Sequence, residues 1–422
     1  MSLIRDAEIE DTIRAYAVPL LEAAGLGADA VRLYIVNDRS INAFVAGGPN
    51  LFLSSGMLSV AEDPGEIIGV IAHEIGHIAG GHLVRTRDAM ENASAEMILA
   101  TVLAAGAIVA GEGEVGTAIM AGGQSLAQQS FLRYSRAQEQ SADQAALRLL
   151  ERTGQSAAGL LRMFQRLQER ERLAVGDAHG YARTHPLTRE RVRFIRDQME
   201  RESEAVGATP DALRVAHARM VAKLKGFLDP PEETLRAYPA ENESVEARYA
   251  RAIAYYRIPD LDRALEALDA LIADDPNDPW FHELKGQVLF ENGRVGEAIA
   301  PYERAVALKG DAALLRLGLA RAQIEIGHAA SLASAVANLE AATRLEKNEP
   351  QHWYQLGIAR GRGGKRAASS LAFAEAAYLR GNLERALHHA GVAAEGLAHG
   401  SAAWLRAEDI RNAAELAGKR RR

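Results

Sequence analysis

Apolar positions along the chain change period several times, and each change marks an element. Ile4 to Ala24 keeps a helical period and stops at Gly25. Val31 to Val36 reads VRLYIV, β-branched and aromatic, and predicts a strand. After the turn Asn37-Asp38-Arg39-Ser40, Ile41 to Val45 and Asn50 to Ser54 predict two more strands around Ala46-Gly47-Gly48-Pro49. A short helix is expected at Gly56 to Val60. Asp63-Pro64 then opens a longer one, since proline suits a first helical turn. The apolar run Met97 to Ala110 is shorter than the roughly 20 residues of a membrane span and reads as a buried helix. Gly111 to Ser125, rich in Gly and Ala, reads as a loop or loosely packed helix, a mobile flap. Helices follow at Leu126 to Arg152, Ala157 to Glu169 and Leu187 to Glu200.

Residues 200–242 are polar and hold Pro210, Pro230, Pro231 and Pro239, the composition of a connector that leaves room for short helices at Asp211 to Lys225. From about Ser244 the pattern repeats. Ala252, Gly286, Ala320 and Gly357 recur at spacings of 34, 34 and 37. Ala264, Ala298 and Ala335 follow the first three, and Leu268, Tyr302, Leu339 and Phe373 take the next large position. A period of about 34 with small residues at fixed offsets is the tetratricopeptide signature, a stack of helix pairs. The three-residue excess fits an insertion near Gly327 to Ser331. The expected organisation is α+β and mostly helical: residues 1–202 with a small sheet, a connector at 203–243, and an all-α solenoid at 244–422.

Composition narrows the chemistry. The 422 residues carry a net charge of -7, which gives no basic face for nucleic acid. There is no cysteine, so a metal would have to be held by His and carboxylates. The sequence His73-Glu74-Ile75-Gly76-His77 supplies that chemistry. On a helix, His73 and His77 lie one turn apart on one face, as two ligands of a tetrahedral zinc ion would. Glu74, between them, is placed as general base. A catalytic zinc takes a third protein ligand. His82 lies about 140° round a continuing helix from His77, which puts it off the site. Glu139 is the better candidate: in RAQEQSAD it is followed one turn later by Asp143, which can hold the far N–H of a ligand histidine. The small Ser141 and Ala142 between them let that helix approach closely.

HEIGH, SRAQEQSAD and THPLTRER together resemble the integral and periplasmic zinc metallopeptidases that include HtpX and the CAAX prenyl endopeptidases. The likeness covers about Leu3 to Arg196 and includes INAFVAGG and LFLSSGML. With repeats behind the peptidase domain, the chain is most similar to the periplasmic BepA type. The resemblance implies a gluzincin-like catalytic domain holding one Zn2+ on His73, His77 and Glu139, with Glu74 as base and Asp143 behind a ligand. It implies a substrate edge at Asn42, Ala43 and Phe44. It also singles out His185 and Arg191, in the segment His185-Pro186 to Arg191, beside the reaction: His185 able to fill the fourth zinc position or to bind the intermediate, Arg191 to offset its charge. The expected compartment is the periplasm, with membrane proximity but no transmembrane helix; the first residues hold no export signal, which leaves the cytoplasm open.

The function expected is hydrolysis of peptide bonds in unfolded or misassembled proteins, with a protein partner on the repeats. The alternative is a repeat-based adaptor or chaperone whose zinc site is idle or self-blocked. A third reading, a structural zinc, predicts that metal loss unfolds the domain.

Overall fold

The computed structural model describes residues 2–82, 136–173, 181, 185–201 and 209–420. The expected helix at 97–110 and flap at 111–125 lie outside the described residues. The chain divides into two compact units, residues 1–5 with 9–224 and residues 6–8 with 225–422.

The first unit holds a sheet of β1 (Leu3–Ile4), β2 (Arg32–Val36), β3 (Ala43–Val45) and β4 (Asn50–Ser54), in the order β1-β2-β4-β3. Strands β2 and β4 run parallel, with Arg32 opposite Asn50 and Val36 opposite Ser54; the outer strands are antiparallel to their neighbours. The helical period predicted from Ile4 gives way to β1, because pairing of Leu3 and Ile4 with β2 overrides it. Helix α1 (Ala7–Ala23) buries Ile9, Ile13, Tyr16 and Leu20, one stripe at helical spacing. Helix α2 (Ser55–Val60) follows β4 directly.

Helix α3 (Pro64–Ala79) starts where Asp63 accepts from the Gly65 N–H at 2.9 Å and Pro64 sets the first turn. All but one of its residues from Pro64 to His77 are buried, which makes it a core helix rather than an amphipathic one. Around it come α4 (residues 136–152), α5 (Ala158–Leu173) and α6 (Arg189–Met199), the last capped by Thr188. Where a connector was expected, α7 (Asp211–Leu228) buries His217 and Met220. His217 stands 3.2 Å from the Tyr16 hydroxyl and 3.0 Å from the Ala61 carbonyl. The division between the units therefore falls inside α7, after Leu224.

The second unit is a run of helix pairs: Val245–Arg257 with Leu261–Asp274, Pro279–Glu291 with Val295–Leu308, Ala313–Ile326 with Ala329–Leu345, Pro350–Arg362 with Arg366–Leu379, and Leu383–Gly396 with Ala402–Arg420. The expected insertion is absorbed by the helix Ala329–Leu345, of 17 residues where its counterparts have 14. Small and large positions interlock. A Cβ on Gly286 would lie 2.8 Å from the Tyr302 ring, and one on Gly318 would press that ring from the other helix at 2.8 Å. The ring cannot retreat, so Gly286→Val should lower stability by about 1–3 kcal/mol through overpacking. Denaturant midpoints of the full chain test this; an unchanged midpoint contradicts it.

Candidate metal centre

Helix α3 places His73 and His77 on one face, both buried, with their Nε2 atoms 3.1 Å apart. Helix α4 brings Glu139 against them: Oε2 is 3.4 Å from His73 Nε2 and Oε1 is 3.4 Å from His77 Nε2. The approach is set by small residues at the crossing. A Cβ on Gly76 would lie 2.8 Å from the Ala142 carbonyl oxygen and 3.1 Å from the Ala145 Cβ. One turn beyond Glu139, Asp143 Oδ1 lies 2.9 Å from His73 Nδ1.

His185 completes the group. Its Nδ1 is 3.1 Å from Glu139 Oε1 and 3.4 Å from His73 Nε2, while its Nε2 is 3.3 Å from Glu74 Oε1. The Tyr181 ring stacks on it at 4.7 Å and 26°. The Tyr181 N–H donates to the Ile41 carbonyl at 3.0 Å, and the His185 N–H donates to the Tyr181 carbonyl at 2.7 Å. Among the described residues, His73, His77, Glu139 and His185 are the one group of such donors that could hold a metal ion.

The geometry fits zinc. Bonds of about 2.0–2.1 Å at tetrahedral angles imply ligand atoms about 3.3–3.4 Å apart. Five separations between donor atoms of His73, His77, Glu139 and His185 run from 3.1 to 3.4 Å, and one donor atom from each of the four lies within 4.8 Å of the others. Charge fits too. Glu139 and Asp143 share one guanidinium, Arg191, and Glu74 brings a third buried carboxyl to the group, a donor set suited to a divalent cation.

Arg191 does something other than expected. The sequence placed it near the reacting group, to offset developing charge. Instead its Nε and Nη2 donate to Asp143 at 2.7 and 2.8 Å. Its Nη1 lies 2.8 Å from Glu139 Oε2 and donates to the Pro186 carbonyl at 2.9 Å. The guanidinium is buried and packs over the Phe164 ring at 5.0 Å. Its place is behind the carboxylates, because its fork matches two of them at once.

These contacts set the ionisation. Burial pulls the His73 pKa down, but Asp143 and Glu139 outweigh it and raise it to about 9. A proton and a cation therefore compete for that ring. Burial lowers His77, with His73 adding to it and Glu139 opposing. Burial raises the carboxyls of Glu139 and Asp143, but this is overcome: His185, His73 and His77 hold Glu139 low, and Arg191 with His73 holds Asp143 low.

The candidate substrate edge is β3, whose one strand partner among the described residues is β4. The Asn42 N–H donates to Ser54 Oγ, Ala43 is buried, and Phe44 stacks on Phe52 at 4.9 Å.

Comparison with known proteins agrees with this architecture. Residues 4–199 match the model of Peptidase family M48. The first unit carries an M48 peptidase domain. A tetratricopeptide model matches at 232–279, 249–313 and 283–331, so the M48 domain is followed by repeats. The chain is similar to the beta-barrel assembly-enhancing protease of Yersinia pestis, 26% identical over 388 residues, 91% of this chain and 79% of that one. The protein of the same name from Escherichia coli K12 is 25% identical over 390 residues, 91% and 78% of the two chains. Metalloprotease LoiP of Escherichia coli K12 is 31% identical over 170 residues, 40% and 62%. The chain is a metalloendopeptidase.

Two residues of the M48 domain escaped the sequence reading. His82 was expected off the metal site and lies outside the four-donor group, but it is buried behind a ligand candidate, with Nδ1 3.0 Å from His77 Nδ1. The expectation assumed that α3 continues, whereas the helix ends at Ala79 and Gly81 turns the chain at φ +64. The Gly80-Gly81 pair was the available signal. Tyr181 stands in a stretch of sequence without a period, and nothing in the pattern marks it.

Proposed function

We propose that this enzyme cleaves peptide bonds in unfolded or misassembled proteins of the cell envelope, with one zinc ion held by His73, His77 and Glu139. The observation that carries the reading is the buried four-donor group beside Glu74. Zinc bound there supplies Lewis-acid chemistry. The rest comes from the chain. Asp143 keeps the proton of His73 on Nδ1 and so turns the Nε2 lone pair inward. Arg191 holds Asp143 and Glu139 against their mutual repulsion. Glu74 takes a proton from the attacking water and passes it to the leaving amine.

Substrate lies extended along Asn42, Ala43 and Phe44, where main-chain pairing asks little of sequence. That tolerance suits unfolded segments, and the repeats dock a protein partner or substrate. The relatives' printed name, beta-barrel assembly-enhancing protease, supports placing the work in the periplasm. Among the described residues no helix is long and apolar enough to cross a membrane. The test is cleavage of casein and of an unfolded outer-membrane protein, with and without chelator, alongside metal analysis. A metal-free active protein overturns the reading, as does a zinc-loaded protein that cuts neither substrate.

The alternative of a self-blocked site has its own observation. His185 is the fourth donor of the group and faces Glu74, and Tyr181, whose carbonyl accepts from the His185 N–H, donates to the Ile41 carbonyl at the start of the substrate edge. In this reading the chain is a protease held closed. His185→Ala should raise cleavage of an unfolded substrate by more than about twofold, zinc content unchanged. A fall in rate would assign His185 to the reaction instead, and an unchanged rate would make it structural.

A further inference from the structure

We propose that His82 is the positioning residue for His77, fixing its tautomer and ring plane from outside the metal centre as Asp143 does for His73. The inference rests on the reading of His77 as a metal ligand.

The argument starts from the proton count of a neutral imidazole, which has one N–H and one lone pair. His77 Nε2 faces His73 Nε2 at 3.1 Å and Glu139 Oε1 at 3.4 Å, so its lone pair is needed on the inner side. The ring hydrogen then sits on Nδ1. That atom lies 3.0 Å from His82 Nδ1, with the two rings nearly perpendicular at 81° and centroids 4.9 Å apart. Two Nδ1 atoms at this distance share one hydrogen. His77 donates it, His82 accepts it, and His82 keeps its own hydrogen on Nε2. On the opposite ring, His73 Nδ1 faces Asp143 Oδ1 at 2.9 Å. Each imidazole of the pair thus has an acceptor behind it, one anionic and one neutral.

The surrounding chain holds His82 in this pose. Helix α3 stops at Ala79, the Gly80 N–H is tied back to the Gly76 carbonyl at 2.9 Å, and Gly81 adopts φ +64. The turn folds the His82 ring back over Gly80. A Cβ on Gly80 would lie 2.4 Å from His82 Nε2, so a residue with a side chain there would displace the ring. From the other side, Gln138 Nε2 donates to the His82 carbonyl at 3.1 Å. Gln138 neighbours Glu139, so one contact ties the segment carrying His82 to the helix carrying the carboxylate. His82 is also 3 % exposed, which removes water as a competing acceptor for His77 Nδ1.

The bland reading is a buried histidine that only fills space. Two substitutions separate the readings. His82→Phe keeps most of the volume and removes the acceptor. His82→Asn loses volume but places an Oδ1 acceptor at the position of Nδ1. In the full chain carrying Glu74→Gln, to prevent self-cleavage, zinc affinity is read by competition with a chromogenic chelator. His82→Phe should weaken zinc binding about 10-fold or more, the usual effect of losing such a partner, and His82→Asn should recover most of it. Melting of the metal-free proteins checks that each variant is folded before its zinc affinity is compared. An affinity for His82→Phe within about twofold of its parent, or a loss in His82→Asn as large as in His82→Phe, overturns the proposal. The tautomer of His77 in the metal-free protein, read from ring 15N shifts, decides the point without zinc. Hydrogen on Nδ1 in the parent and a mixed tautomer in His82→Phe support it; the same tautomer in both overturns it. A parent that binds no zinc sinks the metal reading separately, and the 15N result still judges this one.

Discussion

Glu74→Gln should load zinc as its parent does and cleave about 10²–10⁴-fold more slowly, the range of a lost general base. Glutamine matches glutamate in shape, so the packing of this fully buried side chain survives. What changes is proton affinity. Both Glu74 carboxylate oxygens are buried with no hydrogen-bond donor among the described residues. Their near neighbour is His185 Nε2, 3.3 Å from Oε1. Both oxygens keep free lone pairs, which is the geometry a proton acceptor in the reaction needs. Glu74 also stands outside the four-donor group, so metal binding does not need it. Initial rates on casein and metal content per chain check both halves. A rate near that of the parent sinks the assignment of the base. Loss of zinc along with activity would make Glu74 a ligand.

Arg191→Met should destabilise the metal-free enzyme by about 3–5 kcal/mol, the cost of leaving buried charges without their partner. Methionine replaces the stem of the side chain and removes the fork. Asp143 then loses both its guanidinium bonds, and Glu139 loses a contact of 2.8 Å. Two buried carboxylates remain, with only imidazoles to answer them. Zinc should restore part of the loss, because an ion that binds only the folded state stabilises it by mass action. Arg191→Lys should fall between, keeping the charge without the bidentate fit. Denaturant titrations with and without zinc measure all three states. A midpoint for Arg191→Met equal to that of its parent would contradict this account.

What the sequence made legible was whatever local period controls. His73 and His77 share a face because helices repeat at 3.6 residues, and the same rule aligned Glu139 with Asp143. Pro64, Asp63 and the small-large alternation of the repeats are local signals too. Long-range choices were hidden. Strand β1 exists because β2 offers a partner to Leu3 and Ile4, which no window around them reveals. A helix at Asp211 to Lys225 was allowed for within the connector, but not that α7 would bury His217, Met220 and Leu224. Arg191 was placed near the right residues but aimed wrongly, since side-chain direction depends on which carboxylates the fold brings within reach. The contact of His82 with His77 was not foreseen, because the helix was assumed to continue past Ala79.

The contact at Gly76 bears on how such a centre could be grafted elsewhere. The pattern of two histidines and a glutamate leaves its two middle letters free on paper. In this protein neither is free. Ile75 is wholly buried, and Gly76 is the point where α4 comes close enough for its carboxylate to join the imidazoles. A designer copying only the histidines and the glutamate onto a new helix would obtain two ligands and a base, with the third ligand held off by the first methyl group in its path. The transferable part is a pair of helices with a shared narrow waist, Gly76 on one and Ala142 and Ala145 on the other.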